Sequence, residues 1–194
     1  MTNDRCPNFY IALLHYPVYD KNKRVVCTAV TNLDIHDIAR TARTFGIAGY
    51  YLVTPLKKQQ VLVKRIISHW RSGFGAKYNP KRKDALELVS ISDSLHDVCE
   101  EIRGKWGISP KTIIADAKSI KGSIDYLNAR EMIKEESQPY LLLLGTGWGV
   151  TEDIIGNSDY VLAPIRGITD YYHLSVRSAA AIILDRLMGK RQGD

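Results

Sequence analysis

The chain has 194 residues, of which 45% are hydrophobic and 25% charged, and its formal net charge is +6. That length suits one globular domain with its own core, residues 1–194, and no apolar run approaches the roughly 20 residues that a membrane-spanning helix needs. Three cysteines without a paired spacing predict ordinary thiols and no metal site, and the first residues lack the basic and apolar regions of a signal peptide, which predicts a cytoplasmic protein.

The charges are unevenly distributed along the sequence. No acidic residue lies between Asp37 and Asp84, and that interval contains eleven cations: Arg40, Arg43, Lys57, Lys58, Lys64, Arg65, Arg71, Lys77, Lys81, Arg82 and Lys83. A segregated basic surface is typical of proteins that bind a polyanion, most often nucleic acid. A merely solvated face is the alternative.

The first predicted strand, Phe9 to His15, ends at Tyr16-Pro17, and the next fifteen residues have no clear pattern beyond a short extended stretch from Val25 to Val30. A helix is predicted from Asn32, as its N-cap, to Phe45, with Gly46 as its stop. At 100° per residue one face is apolar, and the outer face carries His36, Arg40 and Arg43. These three side chains either hold a phosphate or orient an acceptor, or they serve solubility alone.

A second strand is predicted from Ala48 to Thr54, and Pro55 is expected to open a helix from Leu56 to Trp70. That helix is expected to turn Val61, Leu62, Ile66 and Ile67 inward. Beyond it, three aromatic residues lie four apart among cations: Trp70, Phe74 and Tyr78. Such aromatics either stack on unpaired bases or pack within the protein, and Gly73 and Gly75 suggest a mobile loop.

The remaining pattern alternates strands and helices. Strands are predicted at Ala85–Ile91, Lys111–Ala115, Tyr140–Leu144 and Tyr160–Ala163, and helices at Asp93–Trp106, Ser123–Ser137 and Ser175–Met188. The fold class is therefore α/β, with a mostly parallel sheet of about six strands and helices on both faces. In such sheets ligands bind outside the carboxyl ends of the strands.

One of those strand ends carries glycines at alternate positions, Gly145, Gly147 and Gly149. The dinucleotide fingerprint needs its third glycine one residue later, and the Walker phosphate loop needs Gly-Lys-Ser/Thr. What remains is a loop whose main chain holds a neutral or cationic nucleoside-like ligand.

Three segments together resemble the motifs of the SPOUT superfamily of S-adenosylmethionine-dependent RNA methyltransferases: Asn32 to Gly46, Leu141 to Gly149 and Ile165 to Ala181. The resemblance implies a deep trefoil knot, roughly residues 111–188, that holds S-adenosylmethionine among three loops. The implied cofactor residues are Ala115, Asp116, Leu144, Gly145, Thr146, Gly147, Trp148, Gly149, Ile165, Arg166, Gly167, Leu174, Ser175 and Val176.

The resemblance also implies an acceptor site with Arg40 as a catalytic candidate. Asp170 and His173 in the third segment are the other candidates, because a carboxylate or an imidazole can accept a proton; alternatively both are polar loop residues bonded to the backbone. Arg40 matches the family's motif-one arginine, which suits an orienting role because arginine is a poor base at pH 7. The ribose-methylating members usually have Asn-Glu where this chain has Thr146-Gly147, and Asn where it has Ser175. The acceptor is therefore either a ribose 2′-hydroxyl or a base nitrogen. The alternatives are a non-catalytic RNA-binding protein that retains the cofactor pocket and, less compatible with the glycine spacing, a dinucleotide-dependent oxidoreductase.

The implied partners are an RNA, either tRNA or rRNA, and a second copy of the chain that forms a homodimer through the knot region. No membrane partner is expected. The predicted RNA-binding residues are Asn32, His36, Arg43, Lys64, Arg65, Arg71, Lys81, Arg82 and Lys83.

Overall fold

The structure is a computed structural model that describes residues 6–190, with side chains from residue 8 onward. Six parallel strands form one sheet in the order β5-β4-β1-β7-β6-β8, so that the first strand lies inside the sheet. Their bounds are β1 Cys6–Leu14, β4 Ile47–Val53, β5 Val89–Ser92, β6 Lys111–Ala115, β7 Tyr140–Gly145 and β8 Tyr160–Leu162; two short strands, β2 Val18–Tyr19 and β3 Val25–Val26, pair separately.

Helices cover both faces of this sheet. Their bounds are α1 Asn32–Thr44, α2 Lys57–Arg71, α3 Phe74–Tyr78, α4 Pro80–Leu86, α5 Leu95–Trp106, α6 Tyr126–Ile133, α7 Glu152–Gly156 and α8 Val176–Met188. One core joins α1, α2, α4, α6 and α8 to one face, and a second core packs α5 and α7 on the other. Side chains of β1 alternate between the two cores, with Ile11 in one and Ala12 in the other, as a strand buried on both faces requires.

The predicted α/β class and parallel sheet are confirmed, and each of the six predicted strands is present. The knot stays a prediction. Within residues 6–190 no helix combines the length and hydropathy that crossing a bilayer requires.

The start of α1 differs from the prediction, because the N-cap is Thr31 and not Asn32. The Thr31 hydroxyl accepts a hydrogen bond from the Asp34 amide at 3.2 Å and donates one to the Asp34 carboxylate at 2.6 Å. This reciprocal pair satisfies an amide at the open end of the helix, so it outcompetes the asparagine one residue later.

The predicted inward face of α2 is only partly correct. Ile67 is buried and Ile66 packs against the core, but Val61 and Leu62 are exposed, and Gln60 and Val63 are buried instead. The buried Gln60 amide donates to the Thr54 carbonyl at 2.8 Å, which fixes the rotation of the helix. The helix begins at Lys57, so Pro55 precedes it and does not open it.

The region from 73 to 91 folds into more helix than the pattern predicted. Residues expected to form a mobile loop and the start of a strand instead form α3 and α4, and β5 begins only at Val89. Further along, α6 spans Tyr126–Ile133, which is shorter than the predicted helix.

The segment that the sequence could not place forms a hairpin of β2 and β3 over the glycine loop. The Tyr19 amide donates to the Gly149 carbonyl at 2.9 Å, and the Trp148 amide donates to the Tyr19 carbonyl at 3.0 Å. The hairpin therefore covers one side of the loop that follows β7.

A chain of hydrogen bonds connects β1 with the hairpin and the glycine loop. The Thr146 hydroxyl donates to the Leu14 carbonyl at 2.9 Å and lies 2.6 Å from the Thr28 hydroxyl, which lies 3.0 Å from Nδ1 of His15. Because Thr146 uses its proton on Leu14, Thr28 donates to Thr146 and His15 donates to Thr28. His15 therefore carries a proton on Nδ1, and its buried Nε2 has no hydrogen-bond partner among the described residues.

An ion pair joins the first and last helices. The Arg177 guanidinium in α8 lies 2.9 Å from Oδ1 of Asp34 and 3.4 Å from Oδ2 of Asp37 in α1. The Asp34 side chain is only 6% exposed, and its other oxygen accepts from Thr31. A buried carboxylate satisfied in this way fixes α8 against α1.

We expect Arg177→Ala to lower the free energy of unfolding by about 2 kcal/mol, because it leaves the Asp34 carboxylate buried without its cation. Urea unfolding followed by circular dichroism measures the change. Lys134→Ala is the matched control, since it breaks a solvent-exposed pair with Glu131 that contributes little. Equal stability of the two variants would contradict a structural role for the buried pair.

Stability should also depend on pH through His15. Burial lowers the pKa of His15 from 6.5 to about 4, although Asp34 acts in the opposite direction. Between these values the unfolded chain binds a proton that the folded chain does not, so stability is complete above about pH 6.5 and falls as the pH drops towards 4.

We expect the native protein to lose about 2 kcal/mol from this group between pH 7 and pH 5 in urea unfolding experiments. His15→Asn should remove most of that difference, whereas the exposed His96→Asn should retain it. A His15→Asn protein with the native pH dependence would refute the assignment.

Candidate cofactor and acceptor site

Three loops meet at the carboxyl edge of the sheet, because β6 lies between β7 and β8. Ala115 at the end of β6 is in register with Leu144 on one side and Leu162 on the other. Arg166 in the loop after β8 donates to the Ser119 hydroxyl in the loop after β6, at 2.9 Å. The structure thus brings together the three segments that the resemblance assigned to the cofactor.

The glycines of the loop after β7 are explained first by the loop itself. Gly147 has a φ of +60°, and a Cβ there would lie 2.9 Å from the Tyr19 carbonyl oxygen. A Cβ on Gly145 would lie 2.9 Å from Cγ1 of Val150. The chain itself therefore fills the space that these two glycines leave. Gly149, with a φ of +100°, instead faces Asp116, whose Oδ2 would lie 3.6 Å from a Cβ.

Several other predicted cofactor residues have side chains that are used internally. Leu144 lies in the core, the Thr146 hydroxyl belongs to the hydrogen-bond chain, and the Ser175 hydroxyl caps α8 by accepting from the Ser178 amide. Ala115, Ile165 and Val176 are partly buried against the core. From these residues only main-chain groups remain for a ligand.

The loop after β8 offers what a nucleoside would use. Within the described chain, the main-chain groups of residues 164–168 form no hydrogen bond. A Cβ on Gly167 would meet nothing within 4 Å. Trp148 in the loop after β7 is 66% exposed and Leu174 in the loop after β8 is 43% exposed, so both loops present apolar side chains. Free main-chain donors and acceptors together with exposed apolar side chains fit an adenosine moiety.

The catalytic candidates lie on two different elements, the loop after β8 and helix α1. Asp170 and His173 are exposed in the loop after β8, where the His173 ring stacks on Tyr172 with centroids 5.0 Å apart, and Arg166 lies 4.6 Å above the same tyrosine. Arg40 is exposed on α1, and its guanidinium forms no hydrogen bond or ion pair with any described residue. No hydrogen bond or ion pair within residues 6–190 joins Arg40 to Asp170 or His173, although Arg177, four residues after His173, contacts Asp34 and Asp37 on α1.

The predicted RNA-binding residues divide into free and engaged groups. Those that are exposed and form no ion pair with a described residue are Asn32, Arg43, Lys64, Arg65 and Lys81. Arg71 is engaged, because it donates to the carbonyls of Leu86, Glu87 and Val89. Lys83 lies 4.0 Å from Glu87.

His36 and Arg82 belong to a cluster around Trp70. Arg82 lies 4.5 Å above the Trp70 ring, and His36 contacts its edge with centroids 5.4 Å apart. Burial lowers the pKa of His36, and Arg82 lowers it further. His36 is half-buried in this cluster. It therefore does not share the open outer face that was predicted for it with Arg40 and Arg43.

Sequence reasoning missed the residues that hold the site in place: His15, Thr28, Asp34, Ser119 and Arg177. One signal was present, since Thr31-Asn32-Leu33-Asp34 has the spacing of a capping box. The other partners lie far apart in the sequence, and no local pattern identifies them.

Known proteins that resemble this chain are RNA methyltransferases or uncharacterized relatives. Residues 8–189 match a family described as SAM-dependent RNA methyltransferase. The chain is 40% identical over 187 residues to an uncharacterized protein of Aquifex aeolicus, covering 96% of this chain and 91% of that one. It is 42% identical over 182 residues to a tRNA (guanine-N(1)-)-methyltransferase of Oleidesulfovibrio alaskensis, covering 94% of this chain but only 42% of that longer relative.

A solved structure shares the fold. The TrmH/SpoU tRNA modifying enzyme of A. aeolicus superposes with a TM-score of 0.54 at 18% identity, covering 97% of this chain and 78% of that one. The fold is thus that of the SPOUT methyltransferases, as the three motifs implied. From the match over almost its whole length, the chain belongs to the family of S-adenosylmethionine-dependent RNA methyltransferases.

Proposed function

We propose that the chain transfers a methyl group from S-adenosylmethionine to a nucleotide of a structured RNA, with the cofactor held between the loops that follow β6, β7 and β8. The observation that carries this placement is the meeting of these loops, where Arg166 reaches Ser119 and the main-chain groups of residues 164–168 form no hydrogen bond with a described residue. The cofactor supplies an electrophilic methyl group on a sulfonium.

The protein's own contribution is to position the acceptor and accept its proton. As the acceptor atom bonds to the methyl carbon, the bond from that carbon to sulfur breaks and the acceptor loses a proton. Asp170 and His173 are the proposed proton acceptors, since both are exposed in the loop that borders the cofactor. Neither has to leave a hydrogen bond with a described residue in order to act.

Arg40 is proposed to orient the acceptor nucleotide. Its exposed guanidinium is free, and a planar fork of donors suits a phosphate or a hydroxyl. The same proposal includes a homodimer in which a second copy of the chain completes the acceptor site. The exposed apolar residues Ile168 and Tyr171 suit such an interface. The trefoil knot and a cytoplasmic location are parts of the same proposal.

The acceptor is proposed to lie in tRNA, which is what the Oleidesulfovibrio alaskensis relative is named for. The guanine N1 position does not transfer with that name, because most of that relative lies outside the matched part. Thr146 is also unavailable to the acceptor, since its hydroxyl bonds with Leu14 and Thr28. The alternative is a non-catalytic RNA-binding protein with an intact cofactor pocket. Such a protein would bind RNA and cofactor but show no methyl transfer that a substitution could lower.

Gly167 lies in a loop of the proposed cofactor pocket. Gly167→Val should weaken S-adenosylmethionine binding at least tenfold in calorimetric titration, because its side chain would occupy open space in the proposed pocket while the fold has room for it. Gly104→Val is the matched control, as a Cβ there also meets nothing and lies on α5. Substitution of Gly147 is less informative, because a side chain there would collide with Tyr19. Native affinity in Gly167→Val would overturn the proposed pocket.

Arg40 is the residue proposed to orient the acceptor. Arg40→Ala should lower kcat for methyl transfer to RNA by about a hundredfold or more and leave cofactor affinity unchanged, because an orienting group acts on the acceptor. Transfer of tritiated methyl groups to RNA from cells that lack the protein provides the assay.

Arg43→Ala, one turn further along α1, should mainly raise KM, since a phosphate contact contributes to binding in the ground state. Arg103→Ala, on the opposite side of the sheet, is the control. If Arg40→Ala and Arg103→Ala behaved alike, Arg40 would have no part in the acceptor site.

A further inference from the structure

Two aromatic side chains stand out from the protein surface on α3. Phe74 is 74% exposed and Tyr78 is 77% exposed, although both are large apolar rings. They lie one helical turn apart and stack on each other, with centroids 6.0 Å apart and planes inclined by 20°. Exposed rings held parallel in this way leave a flat face that the protein does not use.

The third aromatic of the sequence pattern, Trp70, is not part of this face. Arg82 covers its ring at 4.5 Å, and His36 and His69 contact its edges. Trp70 is therefore the support on which α3 rests. The surface has two members, Phe74 and Tyr78, which together we name the aromatic platform.

The platform is held rigidly because α3 packs closely on the end of α2. A Cβ on Gly75 would lie 2.6 Å from Cε3 of Trp70 and 2.9 Å from Nε2 of His69, so only glycine permits this approach. The Arg71 guanidinium joins the end of α2 to the carbonyls of Leu86 and Glu87 where α4 meets β5. A preformed surface loses little conformational freedom when it binds.

The charge around the platform indicates which ligand it takes. Residues 57–83 contain nine cations and no acidic residue. Lys77 lies within α3, and Lys81 follows in α4; both are exposed and form no ion pair with a described residue. A protein partner would need an acidic apolar surface, whereas an unpaired nucleotide presents a flat base and a phosphate together.

We propose that the aromatic platform binds unpaired bases of the RNA substrate by stacking, with Lys77 and Lys81 on the adjoining phosphates. This rests on the proposed function as far as the RNA is the methylation substrate, but the binding itself needs no cofactor. The site selects RNA with a single-stranded loop or end, since the bases of a continuous duplex are already stacked on one another.

The test measures binding of a single-stranded RNA 12-mer that contains 2-aminopurine, with a duplex of equal length as comparison and without cofactor. Phe74→Ala/Tyr78→Ala should weaken single-strand binding on the order of tenfold to a hundredfold and quench 2-aminopurine less, because base stacking on the rings is lost. Leu127→Ala, at an equally exposed apolar residue on α6, should have no effect.

Phe74→Leu/Tyr78→Leu separates stacking from plain apolar contact, since leucine keeps apolar area without an aromatic face. We expect it to bind RNA as weakly as the alanine variant. Lys77→Gln/Lys81→Gln should instead flatten the dependence of affinity on salt by about 1.4 in the log-log slope, because two phosphate contacts are lost.

Native RNA affinity in the alanine variant, or full affinity in the leucine variant, would overturn the proposal. So would equal losses for single strand and duplex, because they would indicate a general electrostatic effect. These outcomes are independent of methyl transfer. If the protein methylates RNA but the platform substitutions leave its affinity for single-stranded RNA unchanged, only this inference is refuted. If the native protein neither bound S-adenosylmethionine nor methylated RNA, the proposed function would be refuted instead.

Discussion

The parallel pairing of β1 between β4 and β7 is the constraint on which the rest of the molecule depends. Every strand of the main sheet runs in the same direction, so each connection leaves from the same edge and returns on a face. The three loops of the proposed cofactor site, the hairpin of β2 and β3, and the start of α1 all lie at that edge for this reason. Reversing β7 alone would move its glycine loop to the opposite edge of the sheet, away from the loops that follow β6 and β8.

Side-chain bonds then fix what the sheet brings together. Arg177 ties α8 to the buried Asp34 of α1, and the chain from His15 through Thr28 to Thr146 ties the glycine loop to the end of β1. Both use polar groups at buried positions, where an unpaired group is costly and a satisfied one is specific. The first connection joins two of the three motif segments, and the second joins the remaining motif segment to the end of β1.

The sequence predicted the sheet well because buried parallel strands leave continuous apolar runs, such as Leu141 to Leu144. It failed where side-chain partners decide the outcome. The rotation of α2 follows from Gln60, whose amide bonds with the Thr54 carbonyl, and the pattern placed Val61 and Leu62 inward although both are exposed. α3 depends on the absence of a side chain at Gly75, which the pattern read as a sign of mobility. The roles of His15 and Arg177 depend on partners more than ten residues away, and hydrophobic periodicity carries no information about them.

The order of strands also separates the proposed RNA-binding helices from the strand that leads into the last loop of the proposed cofactor site. The basic helix α2 packs beside β5, whereas β8 lies five strand spacings from β5, which is roughly 24 Å at about 4.8 Å each. A short, flexible oligonucleotide held by one half of the sheet would gain little at the other half. The geometry favours a substrate with its own tertiary shape, stiff enough to be gripped at one place and methylated at another. Recognition of such a substrate reads its architecture more than its local base sequence.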